Sequence, residues 1–448
     1  MSIQVAPVEA VADATPSSPA QLRQAFLTEV LAKRPQSGSA ALQNLRDRAQ
    51  AILQEQGLPT LQDEDWRFTD LAPLYSLSGQ LTSAEAMVLT REAIAPFLWP
   101  DLPIQLVFVN GVFAPELSTG DALPTGLTFE TLKTFDLTAN AAQAVGQASG
   151  AGDSFTALNS LYFQDVAALR VAHNQAIASP VHLLWVTTTA NQANFVCPRL
   201  WVCLESGAQL QLVEEFVTCE STATVTVTNA VAECWLGPNA DLHHTRIQRE
   251  GAAAIHLGKT SVTQAQDSRY RGLSLNLGGQ LARHTPEVTL TGIQTETILN
   301  GLAVATGTQL SDTHSAIAFT QPHGTARQLH KCIIDDRARG VFNGKVFVPQ
   351  AAQQTDAAQL SRNLLLSPKA RVDTKPQLEI VADDVKCAHG ATVSQLDDDS
   401  VFYLQSRGLD QASACDLLVK AFAAEIIDQC PTESLRSGLL MQVLAVLR

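Results

Sequence analysis

Three things are missing from this chain: a Cys-x-x-Cys pair, a run of lysine or arginine, and an apolar stretch long enough to cross a bilayer. Each absence excludes a class of function. A self-contained four-cysteine cluster site draws on closely spaced pairs, and here Cys197 and Cys203 stand six apart. With 30 Lys and Arg against 44 Asp and Glu, the formal net charge is −14. Nucleic acids and anionic membrane surfaces are bound by clustered cations, so neither is an expected partner. The longest strongly apolar stretch, near Leu439–Leu447, falls well short of a span. The first ten residues have no basic start and no apolar core, and Glu9 and Asp13 argue against a transit peptide. A cytoplasmic location is therefore expected, with the eight scattered cysteines as reduced thiols.

What is present describes a folded protein. Hydrophobic residues make up 46% and charged residues 17%. At 448 residues the chain is too long for one ordinary core, so two or three structural regions are expected. Residues 1–19 are rich in Ala, Pro and Ser and read as a loose tail. Gln21–Lys33 and Ser39–Gln56 carry apolar residues at helical spacing, including Leu42, Leu45, Ala49 and Leu53, and Ser83–Leu98 reads as a further helix. These define a helical region over 20–103.

The texture then changes. Ile104–Val109, Val181–Thr187 and Leu200–Leu204 are strand-like runs rich in β-branched and aromatic residues. Short strands between brief turns continue to about residue 395, defining a β core over 104–395. A turn residue followed by Ala and an alternating strand recurs at Gly207-Ala208, Asn239-Ala240 and Lys369-Ala370, the first two alanines 32 residues apart. A stacked β-solenoid and a pair of sandwiches both fit; the length of the strand region favours the solenoid. The module over 396–448 is helical again. Asp397–Asp399 and Ser400 offer N-caps and Gly408 a stop. Leu417, Leu418, Ala421 and Phe422 share one stripe, and Leu440, Val443, Leu444 and Leu447 another. Such a module would either cap the open end of a solenoid or present a docking face.

Several segments resemble chemical motifs and fail. Gly340 to Val346 looks like a phosphate loop, but its glycines are one residue too close and Val346 replaces the Ser or Thr that would hold magnesium. A turn between strands is the better reading. Gly272-Leu-Ser274-Leu-Asn276 falls one residue short of a nucleophile elbow and lacks the strand–turn–helix context. Trp66-Arg67-Phe68, after Glu64 and Asp65, reads as a packing anchor with Arg67 paired to a carboxylate. Asp312 and His314 form an i, i+2 carboxylate–imidazole pair, with His323 and His330 nearby, and all read as surface or hydrogen-bonded groups. His243 and His244 would face opposite sides of a strand and cannot chelate together.

Cys387-Ala388-His389 is the most informative cluster. On a strand, residues two apart share a face, so a thiol and an imidazole would stand side by side, just after Asp383 and Asp384. That pair suits a thiophilic metal or a sulfur-accepting thiolate. Two ligands are too few for a closed site, so a partner would have to complete it. By spacing alone the plainer reading, a half-buried Cys beside an exposed His, is favoured.

Four blocks make the chain recognisable: Asp335 to Val348 (DDRARGVFNGKVFV), Gln354 to Ser367 (QTDAAQLSRNLLLS), Val372 to Ile380 (VDTKPQLEI) and Ala382 to Thr392 (ADDVKCAHGAT). Together they resemble the SufB/SufD family of the Suf iron–sulfur cluster assembly machinery, and Glu64 to Leu71 resembles that family's N-terminal block. Gly390 after the histidine, where SufB-like chains are acidic, and Cys387 before it resemble the SufD type. The resemblance implies a right-handed parallel β-helix core flanked by N-terminal and C-terminal helical regions. It implies a non-catalytic scaffold that pairs with a SufB-type paralogue and docks a SufC-type ABC ATPase through its C-terminal helices; separately, an exposed β-helix edge would allow a homodimer when the chain is alone. No resident cofactor is implied for the isolated chain; iron or an iron–sulfur cluster would pass through the complex transiently, and His389 with Cys387 would be a metal half-site at the SufB interface. Two other readings compete: a direct iron-binding and delivery protein using Cys387 and His389, and a solenoid polysaccharide lyase, which would need a groove of carboxylates with Arg or Lys that the sequence does not offer.

Overall fold

The computed structural model describes residues 18–36, 38–83, 89–119, 123–138, 143–147, 152–188, 193–219 and 224–447. From Arg199 onward, strands alternate between two sheets. Each turn of chain contributes one strand to an 11-stranded sheet and the next to a 10-stranded sheet. Seven successive pairs, from Arg199–Leu204 with Gln209–Cys219 to Arg371–Ile380 with Lys386–Ser394, make a parallel β-solenoid of about seven turns. All of their ladders are parallel. Among the described residues, the two antiparallel pairings are both at the N-terminal end: Val112–Phe113 lies against Ile104–Val109, and Leu127–Glu130 against Ala167–Val171.

The recurring turn signature is the solenoid corner. Asn174, Gly207, Asn239, Asp267, Gln294, His323 and Gln354 all have positive φ, at intervals of 33, 32, 28, 27, 29 and 31 residues. Asn, Asp and Gly tolerate this left-handed conformation best, which explains their frequency in the column. Each corner N–H donates to a carbonyl one turn further on, as Gly207 does to Pro238 at 2.8 Å and His323 to Gln353 at 3.0 Å. From Gly207 onward the residue after each corner is small or β-branched because it turns inward, and Ala208 and Ala240 are fully buried. His323 is thus a corner residue, placed by backbone geometry.

Helices cover the two outer walls. Pro19–Ala32 starts at the capping box of Ser18 and Gln21, and Ala40–Gln56 starts at the cap of Ser39. These two helices, with Ser154–Tyr162, pack Phe26, Leu45, Leu53, Leu158 and Leu161 against Trp201, Val227, Ile255 and Leu257 on the 11-stranded wall. The helix over Ser154–Tyr162 was not expected, and its cap Asp153 is the sequence signal for it. Within the helix expected over Ser83–Leu98, the described residues hold one helical turn at Arg91–Ile94 and a 3-10 turn at Ala95–Phe97, where Pro96 interrupts the α-helix. Its residues 84–88 lie outside the described residues.

The C-terminal module comprises helices Asp398–Ser406, Gln411–Ile427 and Glu433–Val446, capped by Asp397 and Asp410 with Gly408 at the break. It does not cap the last turn. It folds back along the outer face of the 10-stranded sheet, where Val419, Ala423, Ile426, Leu439 and Val443 cover Ile247, Leu275, Leu302 and Ile333. The long helix is therefore rotated from the expected stripe: Ala414, Val419, Ala423 and Ile426 are buried, and Leu417 is exposed. The alanines let the helix approach the flat wall closely, which the bulkier Leu417 side would not. The last turn of the solenoid stays uncovered. Among the described residues, no helix is long and apolar enough to cross a membrane.

Candidate functional site

The interior of the solenoid is apolar at its first turns, where Leu183, Trp185, Leu200, Val202 and Leu212 meet. Further along it becomes polar. Leu212, His244, Gly272, Leu299, Gln328, Gln359 and His389 occupy equivalent positions on successive turns. In the next inward row stand Glu214, Arg246, Ser274, Gly301, His330, Ser361 and Ala391. In-register residues of parallel strands point the same way, so Cys387 and His389 continue the interior rows to the open end. Cys387 packs against the interior core and is half-buried, while His389 is exposed because no further turn covers it.

The polar interior is a series of paired groups. Glu214 accepts from Trp185 at 3.2 Å and meets His244 Nε2 at 3.1 Å. His256 meets Glu250 at 2.6 Å through Nδ1 and Arg246 through Nε2, and Arg246 donates to Asn276 at 3.0 Å. His284 lies 3.0 Å from both Ser274 and Thr260, and His330 lies 3.0 Å from Thr313 and stacks on Phe342. Burial lowers the pKa of His256 and His284 and brings His330 down to about 4, so these imidazoles are neutral partners. Glycines make room for them. A Cβ at Gly258 would stand 2.8 Å from Arg246 and 2.9 Å from His256, and one at Gly301 would stand 2.8 Å from His330.

Most of these residues escaped sequence reasoning. Only alignment of the turns at their uneven spacing brings His244, Gln328, Gln359 and His389 into one row. The opposed faces of His243 and His244 are as expected: His244 is buried inside, while His243 meets Arg271 and lies 3.4 Å from Asp241 outside. Gly340 and Gly344 correct an expectation. They lie inside the strand Arg339–Val348, not in a turn, and both face the interior. A Cβ on Gly344 would stand 2.1 Å from Gln359 Nε2, so the apparent phosphate loop is a strand whose glycine admits a neighbouring amide.

The other singled-out residues lie on the outer wall. Asp312 pairs with Arg283 at 2.5 Å and with Thr69; His314 Nε2 is 4.0 Å from Asp312. His314 lines a cavity of about 170 Å³ with Trp66, Lys259, Glu287 and Lys345. Trp66 is the expected anchor, its ring centre 5.1 Å from that of Phe155 in a tilted contact, with the Arg283 guanidinium 3.8 Å from its ring centre. Arg283, with Asp312, supplies the carboxylate pair expected of Arg67, which lies over Phe68 instead.

At the open end, burial raises the Cys387 thiol above its ordinary range, against a backbone hydrogen bond from Ala357 that favours the thiolate. Asp383 and Asp384 are held in the turn before the strand: Gln350 donates to Asp383 at 2.9 Å, and the Asp384 N–H donates to Gln353 at 2.9 Å. Among the described residues, no three His, Cys, Asp or Glu side chains converge as a metal site. Leu360, Ile380, Val381 and Val393 are exposed around the same end. The strands Arg371–Ile380 and Lys386–Ser394 are each the last in their sheet, so their outer backbone edges are unpaired.

Two family models match nearly the whole chain. The SUF system FeS cluster assembly, SufBD core domain matches residues 186–422, and the SufBD protein N-terminal region matches residues 24–183. The chain is 42% identical to an iron–sulfur cluster assembly SufBD family protein of Synechocystis, covering 89% of each chain. It is 35% identical to the iron–sulfur cluster assembly protein SufD of Escherichia coli, covering 87% of this chain and 88% of that one. It is 34% identical to the chloroplastic protein ABCI7 of Arabidopsis thaliana, covering 89% and 85%.

Proposed function

This chain belongs to the SufBD family of iron–sulfur cluster assembly proteins, and from that premise we propose that it is a SufD-type scaffold subunit without turnover of its own. The observation that carries the reading is the open last turn, which brings Cys387 and His389 to an uncovered, apolar-rimmed strand edge. A SufB-type paralogue with a matching edge would complete that end, adding strands to both sheets. In its absence a second copy of this chain would occupy the same edge, giving a homodimer. The iron or the cluster is cargo here. A soft metal would take the Cys387 sulfur and one His389 nitrogen, with the remaining ligands from the partner.

The C-terminal module supports the second half of the proposal. Its inner face is used on the solenoid wall, yet Phe402 is 71% exposed and Tyr403 56% exposed, with Leu409, Leu417 and Met441 also exposed. Apolar side chains gathered on one small module mark a docking surface, and a SufC-type ABC ATPase is its proposed occupant. ATP-driven movement of the module would then be felt at the solenoid wall it lies on.

Co-expression with a SufB-type paralogue and a SufC-type ATPase tests both halves. The full chain is expected to capture both proteins, and a chain ending at Ser394 to lose the ATPase. A full chain that never captures the ATPase would defeat the scaffold reading. His389→Ala is expected to leave the complex assembled and to lower cluster formation; an unchanged cluster yield would remove His389 from the site. Tight stoichiometric iron binding by the chain alone would instead favour a direct iron-delivery protein.

A further inference from the structure

The last two turns hold three buried side-chain atoms with no hydrogen-bond partner: Gln359 Oε1, Asn363 Oδ1 and Thr374 Oγ1. A buried acceptor without a donor is costly, and its persistence at one place calls for a cause. Gln359 is the most telling. It is only 3% exposed, and its amide crosses the lumen through the gap left by Gly344. Its orientation is locked by a file of hydrogen bonds. Gln359 Nε2 donates to Gln328 Oε1 at 2.8 Å, and Gln328 Nε2 donates to Ser315 Oγ at 2.8 Å. With the amide nitrogen committed inward, the free carbonyl oxygen is what Gln359 offers to the next turn. The residue at that position on the next turn, one strand spacing of about 4.8 Å away, is His389. Asn363 and Thr374 have no such partner: the residue above Asn363 is Val393, and Thr374 lies on the last strand of its own sheet.

We propose that Gln359 is the positioning residue of His389: its Oε1 accepts the imidazole N–H that faces the lumen, holding one tautomer and leaving the other ring nitrogen as a lone-pair donor at the open end. This rests on the reading of His389 as a half-site for a soft-metal cargo and deepens it. A ligating imidazole is oriented by the acceptor of its second N–H. Here that acceptor is supplied by the preceding turn of the solenoid, through an amide that two further residues hold in place. Gln328 and Ser315 thereby join the site without touching its ligand.

The test is the tautomer of His389 in the full-length chain, read from ring-nitrogen chemical shifts in protein labelled with 15N-histidine and assigned by the peaks lost in His389→Asn. The wild type is expected to show one dominant tautomer. Gln359→Met keeps the length of the side chain and removes the acceptor, and should give a mixture. Gln359→Glu can only accept; Gln328 turns its amide to donate to the new carboxylate, and the single tautomer should return. Gln328→Met frees the Gln359 amide without touching His389 and should give an intermediate mixture. A His389 tautomer unchanged in Gln359→Met would overturn the proposal, and so would a mixture that Gln359→Glu fails to reverse. Cluster formation in the assembled complex separates this from the parent reading. If His389→Ala lowers it and Gln359→Met does not, the positioning role is lost and the half-site stands. If His389→Ala leaves it unchanged, the half-site is lost, whatever the tautomer shows.

Discussion

Lys331, on the fifth turn of the solenoid, donates through its ammonium to the backbone oxygen of Phe422 at 2.7 Å and sits 4.2 Å from the centre of that ring. It also pairs with Glu425, which Arg362 contacts at 3.2 Å. This is a charged fastening between the β wall and the long C-terminal helix. Burial pulls the Lys331 pKa down, and Glu425 opposes that shift. Lys331→Met should keep the packing and lose the fastening. Because Glu425 is about half exposed and keeps Arg362, a loss of about 1–2 kcal/mol is expected. Limited proteolysis should then release the module faster than it cuts the solenoid.

Acid should weaken the core before it dissociates the surface ion pairs. The pKa of buried His330 falls from 6.5 to about 4. Between those values the unfolded chain binds a proton that the folded chain refuses, so stability falls as pH drops through that window and is complete above it. Across the whole window His330 alone accounts for a loss of about 3 kcal/mol, with His256 and His284 acting in the same direction. Denaturant titrations at several pH values should show the slope, and His330→Gln should flatten it.

Gly344→Ala should destabilise the chain by about 1–3 kcal/mol, since the new Cβ would overlap both Gln359 and Phe342. The urea midpoint is expected to fall at constant m. Adding Gln359→Ala should recover part of the loss, giving a non-additive double variant.

Phe402→Ser with Tyr403→Ser removes exposed aromatic surface and touches no core residue. Thermal stability should stay within about 0.5 kcal/mol of the wild type. Capture of the ATPase should weaken by about tenfold or more, as for loss of an interface anchor. A parallel loss of stability would mean that these rings serve the module's own fold.

The pattern of residues made much of the architecture legible. The cap at Asp397 marked a helix start because a side-chain acceptor there meets free backbone N–H groups. Strand runs such as Val181–Thr187 were legible because both faces are buried, so apolar residues run on without alternation. The rotation of the long C-terminal helix was not legible. That helix is apolar on more than one side, and only the wall it lies on selects Val419 and Ala423 over Leu417.

By itself, the sequence determined that the chain is helical at both ends and built of short strands between, and that Cys387 and His389 share one strand face. These properties are local: they follow from spacing within a few residues and from the preferences of single side chains. Only the tertiary structure decided which turn lies on which. The turns differ in length by up to six residues, so no fixed period aligns them. The backbone ladders do, and they place Gln359 beneath His389, open the last turn, and lay the C-terminal helices along the wall rather than across the end.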